Sequence, residues 1–153
     1  DRRRYNLTEQ ICESLLLFEQ SLENKNINLE VELEDDIFIY EDEELLSLVW
    51  NNLISNAIKF TDNDGTIGIK VKKDAFTVLV EVSDNGCGIS PETGKHIFEK
   101  FYQGDTSHSL QGNGLGLALV KRVIDIVGGE IHVHSTLGEG STFIVYLREN
   151  IIT

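Results

Sequence analysis

Apolar residues near the start of the chain recur at spacings of three and four, which is the period of one face of an α-helix. The residues on this stripe are Leu7, Ile11, Leu15, Phe18 and Leu22. They predict one amphipathic helix over residues 8–23. Two segments with alternating apolar and polar residues follow at 27–33 and 36–40, and they predict a short β-hairpin that turns at Glu34-Asp35.

The rest of the chain continues to alternate between helical and strand patterns. An acidic run at residues 41–44 predicts the start of the next helix, because carboxylates at a helix N-terminus complement its dipole. The predicted elements are a helix over 41–60, strands over 66–73 and 76–83, a short helical stretch near 95–101, a helix over 115–127, and closing strands over 130–135 and 141–147. This interleaving predicts a two-layer α/β (α+β) sandwich, formed by a single domain over residues 1–153.

The composition of the chain narrows the classes of function. Hydrophobic residues make up 41% and charged residues 25%, as in ordinary globular domains. No apolar run approaches the ~20 residues of a membrane span, so we expect no membrane contact by this chain, and a membrane anchor elsewhere in its parent protein stays open. The formal net charge of −13 argues against a nucleic-acid-binding protein, whose affinity depends on neutralising phosphates. Cys12 and Cys87 are far apart, which favours a reducing, cytoplasmic location over a disulfide framework.

Three polar residues share one face of the predicted second helix. Asn52, Asn56 and Lys59 stand at positions i, i+4 and i+7, which lie on the same narrow side of a helix. The side-chain oxygen of asparagine is a suitable ligand for Mg²⁺, which prefers oxygen donors. A lysine nearby can meet a phosphate as a point charge. The alternative is an exposed polar helix face, and the stripe alone does not distinguish the two.

Two glycine-rich segments follow. Residues 83–89 read Ser-Asp-Asn-Gly-Cys-Gly-Ile directly after a predicted strand. The glycines let backbone approach a ligand closely, and Asp84 can accept a hydrogen bond from an adenine amino group; the alternative is a simple turn. Residues 112–117 open a helix, where backbone N–H groups form an anion site. No strand directly precedes residues 112–117, which argues against a dinucleotide-binding motif.

Taken together, these segments resemble the catalytic, ATP-binding domain of sensor histidine kinases, whose Bergerat fold is shared with type II topoisomerases, mismatch-repair ATPases and heat-shock chaperone ATPases. The resemblance covers residues 5–147 and is carried by five motifs in family order. These are the asparagine box at 52–60, the first glycine box at 84–89, the phenylalanine box at 98–102, the second glycine box at 112–117 and the closing strand motif at 138–143. It implies a mixed, mainly antiparallel β-sheet covered on one face by about three helices.

The resemblance also implies roles for the matched residues. Asn56, helped by Asn52, is expected to hold Mg²⁺, and Lys59 to contact a phosphate of ATP; these three form the expected catalytic set. Asp84 is expected to receive the adenine amino group, with Thr142 nearby. The other expected ATP-binding residues are Phe60, Gly86, Gly88, Ile89, Lys100, Tyr102, Gly112, Gly114, Leu115, Gly116 and Leu117. Residues 102–113 are expected to form a lid over ATP.

The same resemblance indicates the reaction and the partners. Superfamily members that hydrolyse ATP carry a glutamate base at the position of Asn52, and an amide cannot take a proton from water. Transfer of the γ-phosphate to a protein is therefore favoured. The family's acceptor is a histidine on a separate dimerisation domain, and none of the four histidines here lies in such a motif. The implied partners are that domain, in a homodimeric parent, and a response regulator receiver domain, with residues 1–4 as a linker.

Some alternatives remain open from the sequence. Many histidine kinases have arginine where this chain has Gln103, and Lys100 is a possible substitute for its charge. An anti-sigma-type serine/threonine kinase shares the same motifs but phosphorylates a serine on a partner protein. A degenerate module that senses nucleotide without transferring phosphate is a third possibility.

Overall fold

A computed structural model describes residues 1–99 and 116–148 of the chain. The elements in these two ranges are β1 (Arg3–Asn6), α1 (Leu7–Leu17), α2 (Glu19–Asn24), β2 (Asn28–Leu33), β3 (Phe38–Glu41), α3 (Glu43–Phe60), β4 (Thr66–Asp74), β5 (Thr77–Asp84), α4 (Pro91–Gly94), α5 (Gly116–Val127), β6 (Glu130–Thr136) and β7 (Gly140–Arg148). In the part of the chain that is described, none of these helices combines the length and apolarity that crossing a membrane requires.

The main sheet has five strands in the order β2-β4-β5-β7-β6. The β2–β4 pair is parallel, and the three other pairs are antiparallel. On β4, β5 and β7 every second side chain is buried for most of the strand, as expected when one face of a sheet covers the core. The mixed, mainly antiparallel sheet implied by the resemblance is thus confirmed.

The helical layer lies on the buried face of this sheet. Helix α3 contacts β5, α5 contacts β6, and α1 packs against α3. The apolar side of α3 is almost completely inaccessible to solvent, and its buried members include Leu46, Trp50, Leu53 and Ala57. Asp42 begins this helix, because its side chain accepts a hydrogen bond from the backbone N–H of Leu45, a typical N-cap. Helix α3 is therefore held in the middle of the molecule.

The predicted hairpin of residues 27–33 and 36–40 is wrong in its pairing. Both segments form strands, but β2 pairs in parallel with β4, and β3 pairs antiparallel with β1 in a separate two-stranded sheet. A parallel pair needs a long connection, and the chain between β2 and β4 contains β3 and α3. Strand β1 was not predicted at all: Arg3 and Arg4 pair with β3, although residues 1–4 were expected to be a linker.

The first predicted helix is divided in two. The chain departs from helical geometry at Phe18, with φ −102° and ψ 11°, which ends α1 and begins α2. Leu22 is still buried, and Phe18 packs against the core. The apolar spacing does not record the break, because residues on both sides of it reach the same core. The short helical stretch also lies earlier than predicted, at α4, with Ser90 as its N-cap.

Candidate nucleotide-binding site

The polar stripe of α3 lies at the edge of its buried face. Asn52, Asn56 and Lys59 are all partly exposed on this edge. The Asn52 amide nitrogen donates to the backbone carbonyl of Leu48, at 2.7 Å. The Asn56 side chain has no hydrogen-bond partner among residues 1–99 and 116–148. Within the described residues Asn56 thus presents a side-chain oxygen that no other group engages, which fits a ligand for a hard cation.

Lys59 is the cationic group on this stripe. Its ammonium nitrogen lies 5.3 Å from the centre of the Phe60 ring, within the range of a cation–π contact. Partial burial lowers the pKa of Lys59 from its ordinary value, because burial disfavours the charged form. A phosphate placed beside this ammonium would act in the opposite direction and favour its charged form.

Asp84 ends β5 at the same side of the molecule as the C-terminus of α3. Its Oδ1 accepts a hydrogen bond of 2.9 Å from the backbone N–H of Gly86. Burial raises the pKa of Asp84, while hydrogen bonds from the backbone of Gly86 and Ser141 act to lower it. A partly buried carboxylate at a strand end, held by backbone donors, is suited to accept hydrogen bonds from a ligand.

The first glycine box joins Asp84 to the asparagine box. A Cβ placed on Gly86 would lie only 2.0 Å from the carbonyl oxygen of Phe60, so no residue with a side chain fits there without moving backbone. Gly88 has a φ of +72°, and its Cβ would lie 2.1 Å from the carbonyl oxygen of Thr136. Gly86 therefore brings the end of α3 against β5, and Gly88 brings the box against the β6–β7 hairpin.

The start of α5 lies against the same stripe. A Cβ on Gly116 would be 2.9 Å from Oδ1 of Asn52, so the N-terminal end of α5 directly approaches the asparagine box. Leu117, the next residue, is partly buried and packs against the hydrophobic core. A helix N-terminus offers unpaired backbone N–H groups to anions. The residues expected to meet phosphate on α3 and α5 are thus neighbours.

Thr142 does not lie beside Asp84, in contrast to the expectation. In the β5–β7 register Asp84 is opposite Ser141, and Thr142 is opposite Ser83. Because directly opposite residues share a face and successive residues alternate, Thr142 points to the other face of the sheet from Asp84. Ser141, which is 7% exposed, is the residue that the sheet places next to the carboxylate.

A small hydroxyl network supports Ser141. The Ser135 hydroxyl donates to the carbonyl of Gly140 at 3.0 Å and lies 2.9 Å from the Ser141 hydroxyl. Since the Ser135 hydrogen is engaged by Gly140, the Ser141 hydroxyl must be the donor between the two serines. Ser135 also accepts the backbone N–H of Ile89 at 2.7 Å. The network connects the first glycine box to β6 and β7.

Comparison with known proteins is consistent with this arrangement. The family model described as "Histidine kinase-, DNA gyrase B-, and HSP90-like ATPase" matches residues 41–151. The circadian input-output histidine kinase CikA of Synechococcus elongatus is 39% identical over 127 residues, or 81% of this chain. The sensor-like histidine kinase SenX3 of Mycobacterium tuberculosis is 32% identical over 139 residues, or 90% of it.

Solved structures give the same result. The nucleotide-free catalytic domain of histidine kinase ThkA has a TM-score of 0.87 and 30% identity, and the match covers 97% of this chain and 96% of that one. The chain belongs to the histidine kinase-, DNA gyrase B- and HSP90-like ATPase family. Within that family it is a catalytic, ATP-binding domain of the sensor histidine kinase type. It spans 17% of the length of CikA and 34% of SenX3.

Part of the predicted site of this histidine kinase domain lies outside the described residues. The expected ATP-binding residues in this group are Lys100, Tyr102, Gly112, Gly114 and Leu115, together with the lid at 102–113 and Gln103. The described residues of the site lie on α3 from Asn52 to Phe60, in the first glycine box from Asp84 to Ile89, and at Gly116 at the start of α5. Sequence reasoning missed Ser141, although alternation along β7, counted from buried Phe143, indicates which neighbour faces the core.

The three histidines in the described ranges are all exposed. His132 and His134 lie exposed on the outer face of β6, and His132 contacts Glu130 at 3.2 Å. His96 is exposed and contacts Glu99. No group of three or more His, Cys, Asp or Glu side chains suited to a metal occurs within residues 1–99 and 116–148.

Proposed function

We propose that this domain binds Mg²⁺-ATP between α3, the end of β5 and the start of α5, and transfers the γ-phosphate to a histidine on a separate dimerisation domain. The observation that carries the proposal is the contact between Gly86 and the Phe60 carbonyl. This contact connects the residues proposed to bind adenine with those proposed to bind the phosphates.

The adenine end is proposed to lie at Asp84. Its carboxylate accepts a hydrogen bond from the exocyclic amino group of adenine. Ser141 lies on the same face and directly across the strand pair. Phe60 and Ile89 supply apolar surface for the ring, since both are partly buried beside the first glycine box.

The phosphate end is proposed to lie between α3 and α5. Asn56, with Asn52 beside it, offers amide oxygens to Mg²⁺, which when bound would neutralise phosphate charge and orient the transferring group. Lys59 adds a cation, and the N-terminus of α5 at Gly116 adds backbone N–H groups. Such positioning and charge neutralisation are what phosphoryl transfer mainly requires of a protein.

The side chain at position 52 favours transfer of the γ-phosphate to a protein over hydrolysis of ATP. A carboxamide does not accept a proton from water at neutral pH, so this position offers no general base. Its nitrogen is moreover engaged with the Leu48 carbonyl at 2.7 Å. The γ-phosphate is therefore kept for a protein acceptor rather than passed to water.

The partners of the reaction lie outside the chain. The proposed acceptor is a histidine of the dimerisation domain in a homodimeric, cytoplasmic part of the parent protein, and a response regulator receiver domain then takes the phosphate. A solved complex of histidine kinase ThkA with the response regulator protein TrrA has a TM-score of 0.83 and 29% identity to this chain. A serine/threonine kinase of the anti-sigma type and a non-transferring nucleotide sensor are the competing proposals.

Calorimetry with a non-hydrolysable ATP analogue tests the site. We expect binding that depends on Mg²⁺ and is weakened about 10- to 100-fold by Asp84→Asn, because a hydrogen bond to a charged group contributes about 1.5–3 kcal/mol. Asn56→Ala is expected to remove most of the effect of Mg²⁺.

Matched controls for both variants exist in the chain. Ser55→Ala changes an exposed neighbour of Asn56 on the same helix, and Asp74→Asn changes an exposed carboxylate at the far end of the β4–β5 hairpin. Both controls should bind like the unchanged domain. Binding that does not depend on Mg²⁺, or that the control variants weaken as much as the site variants do, would contradict the assigned site.

A further inference from the structure

Lys25 reaches the end of the helix that carries the asparagine box. It follows α2 directly, and its ammonium nitrogen donates to three backbone carbonyls at the C-terminus of α3. The acceptors are Ile58 at 2.7 Å, Lys59 at 3.3 Å and Thr61 at 2.8 Å. An ammonium has three hydrogens to donate, so these three contacts engage all of them.

These carbonyls are the groups that a helix end leaves without partners. The last four C=O groups of an α-helix have no intrahelical donor, and a cation there also interacts favourably with the helix dipole. At this end of α3 the backbone N–H and the hydroxyl of Thr61 both donate to the Ala57 carbonyl, at 3.0 and 2.6 Å. Lys25 therefore completes the hydrogen bonding of the last turn from outside the helix.

Lys25 is itself held firmly in the fold. Its own carbonyl accepts the backbone N–H of Asp64 at 2.8 Å, and the N–H of Asn28 donates to the Gly65 carbonyl at 2.8 Å. The Asn26 amide donates to Asp64 at 2.7 Å. The segment from α2 to β2 is thus bound to the α3–β4 loop on both sides of the lysine.

The turn that Lys25 holds is part of the proposed nucleotide site. Lys59 and Phe60 belong to it, and the Phe60 carbonyl faces Gly86, whose backbone N–H donates to Asp84. A shift of this turn would move the proposed phosphate contact at Lys59. The same shift would change the support for Asp84 through Gly86.

We propose that Lys25 is a positioning residue for nucleotide binding: by bonding the last carbonyls of α3, it fixes the turn that presents Lys59 and Phe60 to ATP and supports Asp84 through Gly86. Lys25 itself touches neither nucleotide nor metal. The inference rests on the proposed function, since it concerns the same site.

The test compares Lys25→Met and Lys25→Arg in the whole chain with the control Val78→Ala. Methionine keeps the length of the side chain but cannot donate, whereas arginine can still bond carbonyls. Val78 is fully buried on β5 and pairs with Leu147 and Lys73, at the opposite end of the strand from Asp84. Val78→Ala therefore lowers stability without touching the α3 turn.

Affinity for the Mg²⁺-loaded ATP analogue is the first measurement, at a temperature where every variant is folded. We expect the Kd of Lys25→Met to rise about 10- to 100-fold, because a displaced Lys59 loses its hydrogen bond to a charged phosphate. Lys25→Arg should recover part of the loss, and Val78→Ala should match the unchanged domain. Equal Kd values for Lys25→Met and Val78→Ala would overturn the inference.

Amide hydrogen exchange tests, without nucleotide, whether Lys25 holds the α3 turn and the first glycine box in place. The backbone N–H groups of Thr61 and Gly86 are both hydrogen-bonded, so their exchange reports the α3 turn and the glycine box. Positioning predicts faster exchange at both sites in Lys25→Met but not in Val78→Ala. Unchanged exchange at Gly86 overturns the inference even if the domain binds ATP. Failure of the unchanged domain to bind ATP contradicts the proposed function instead.

Discussion

The carboxylate of Asp84 lies partly buried at the end of β5, where it accepts the backbone N–H of Gly86. Burial raises its pKa above the ordinary value, so the folded protein alone disfavours the charged form that the proposed adenine contact requires. Function and stability therefore make opposite demands on this residue, a pattern that is common at binding sites. The proposed adenine contact would relieve the conflict, because the amino group donates to the charged form.

The pH dependence of stability tests this conflict. A carboxyl whose pKa is raised by folding contributes stability that is fully present below the unfolded pKa, about 3.9, and is lost as the pH rises through the folded pKa. Asp84→Asn removes this loss and keeps an acceptor for Gly86. We expect the free energy of unfolding of the variant, relative to the unchanged domain, to increase as the pH rises from 3.5 to 7. Urea unfolding measures it, and a pH-independent difference would contradict the account.

Gly86 offers a second test at this scale. Gly86→Ala places a Cβ 2.0 Å from the Phe60 carbonyl oxygen, so we expect a loss of about 1–3 kcal/mol in the free energy of unfolding, as for other overpacked sites. Nucleotide affinity should fall as well. The control is Gly94→Ala, because a Cβ at Gly94 meets nothing within 4 Å. A Gly86→Ala domain as stable as the control would show that this contact does not join the two boxes.

At the scale of elements, α3 is the helix around which the site is arranged, and its N-terminal half is held by a buried polar cluster. The Tyr5 hydroxyl and the Trp50 indole N–H both donate to Oε1 of Gln10 at 2.8 Å. The Gln10 amide donates in turn to the Glu43 carbonyl at 2.7 Å. Gln10 thus connects β1, α1 and α3 through three hydrogen bonds of one side chain.

Replacing Gln10 should lower the free energy of unfolding. Gln10→Leu leaves the donors of Tyr5 and Trp50 buried without an acceptor, and each unsatisfied group costs about 1–3 kcal/mol. Tyr5→Phe removes a donor without leaving one unpaired and should lose only about 0.5–1.5 kcal/mol. Chemical denaturation of both variants checks the order. Equal losses would mean that the cluster does not connect these elements as described.

The elements also show what a sequence can predict. The span of α3 was predicted to within two residues, because an acidic start, a continuous apolar stripe and turn residues after Phe60 all agree. The partner of β2 was missed, because alternation identifies a strand but not the strand it pairs with. The same limit explains Thr142: a change of one residue in register moves a side chain to the opposite face of the sheet.

At the scale of the whole molecule, the family could be predicted, since five short motifs occur in order along the chain, and the fold brings the proposed residues of α3, the end of β5 and the start of α5 together. The supporting contacts could not be predicted. Lys25 is an isolated lysine in a polar segment, and its three carbonyl acceptors are 33, 34 and 36 residues away along the chain. Such contacts exist only after the fold brings distant segments together, and neither periodicity nor composition records them.

The whole molecule also determines which reaction is possible. A formal net charge of −13 opposes the approach of a polyphosphate, so local groups such as Lys59 and a bound cation must compensate. The three histidines in the described ranges are exposed, and none of the four in the sequence lies in a motif like that of the family's phosphoacceptor. We therefore expect the phosphate acceptor to lie in another domain and the isolated domain to become phosphorylated very little.

Phosphate transfer to that acceptor is the most direct test of the central claim. The domain would be mixed with γ-labelled ATP, Mg²⁺ and the histidine-bearing dimerisation domain of its parent protein, with Asn56→Ala as the inactive control. We expect acid-labile label on the dimerisation domain, little label on this chain, and none with the control. Acid-stable label on serine, or no label despite tight nucleotide binding, would contradict it in favour of a serine kinase or a nucleotide sensor.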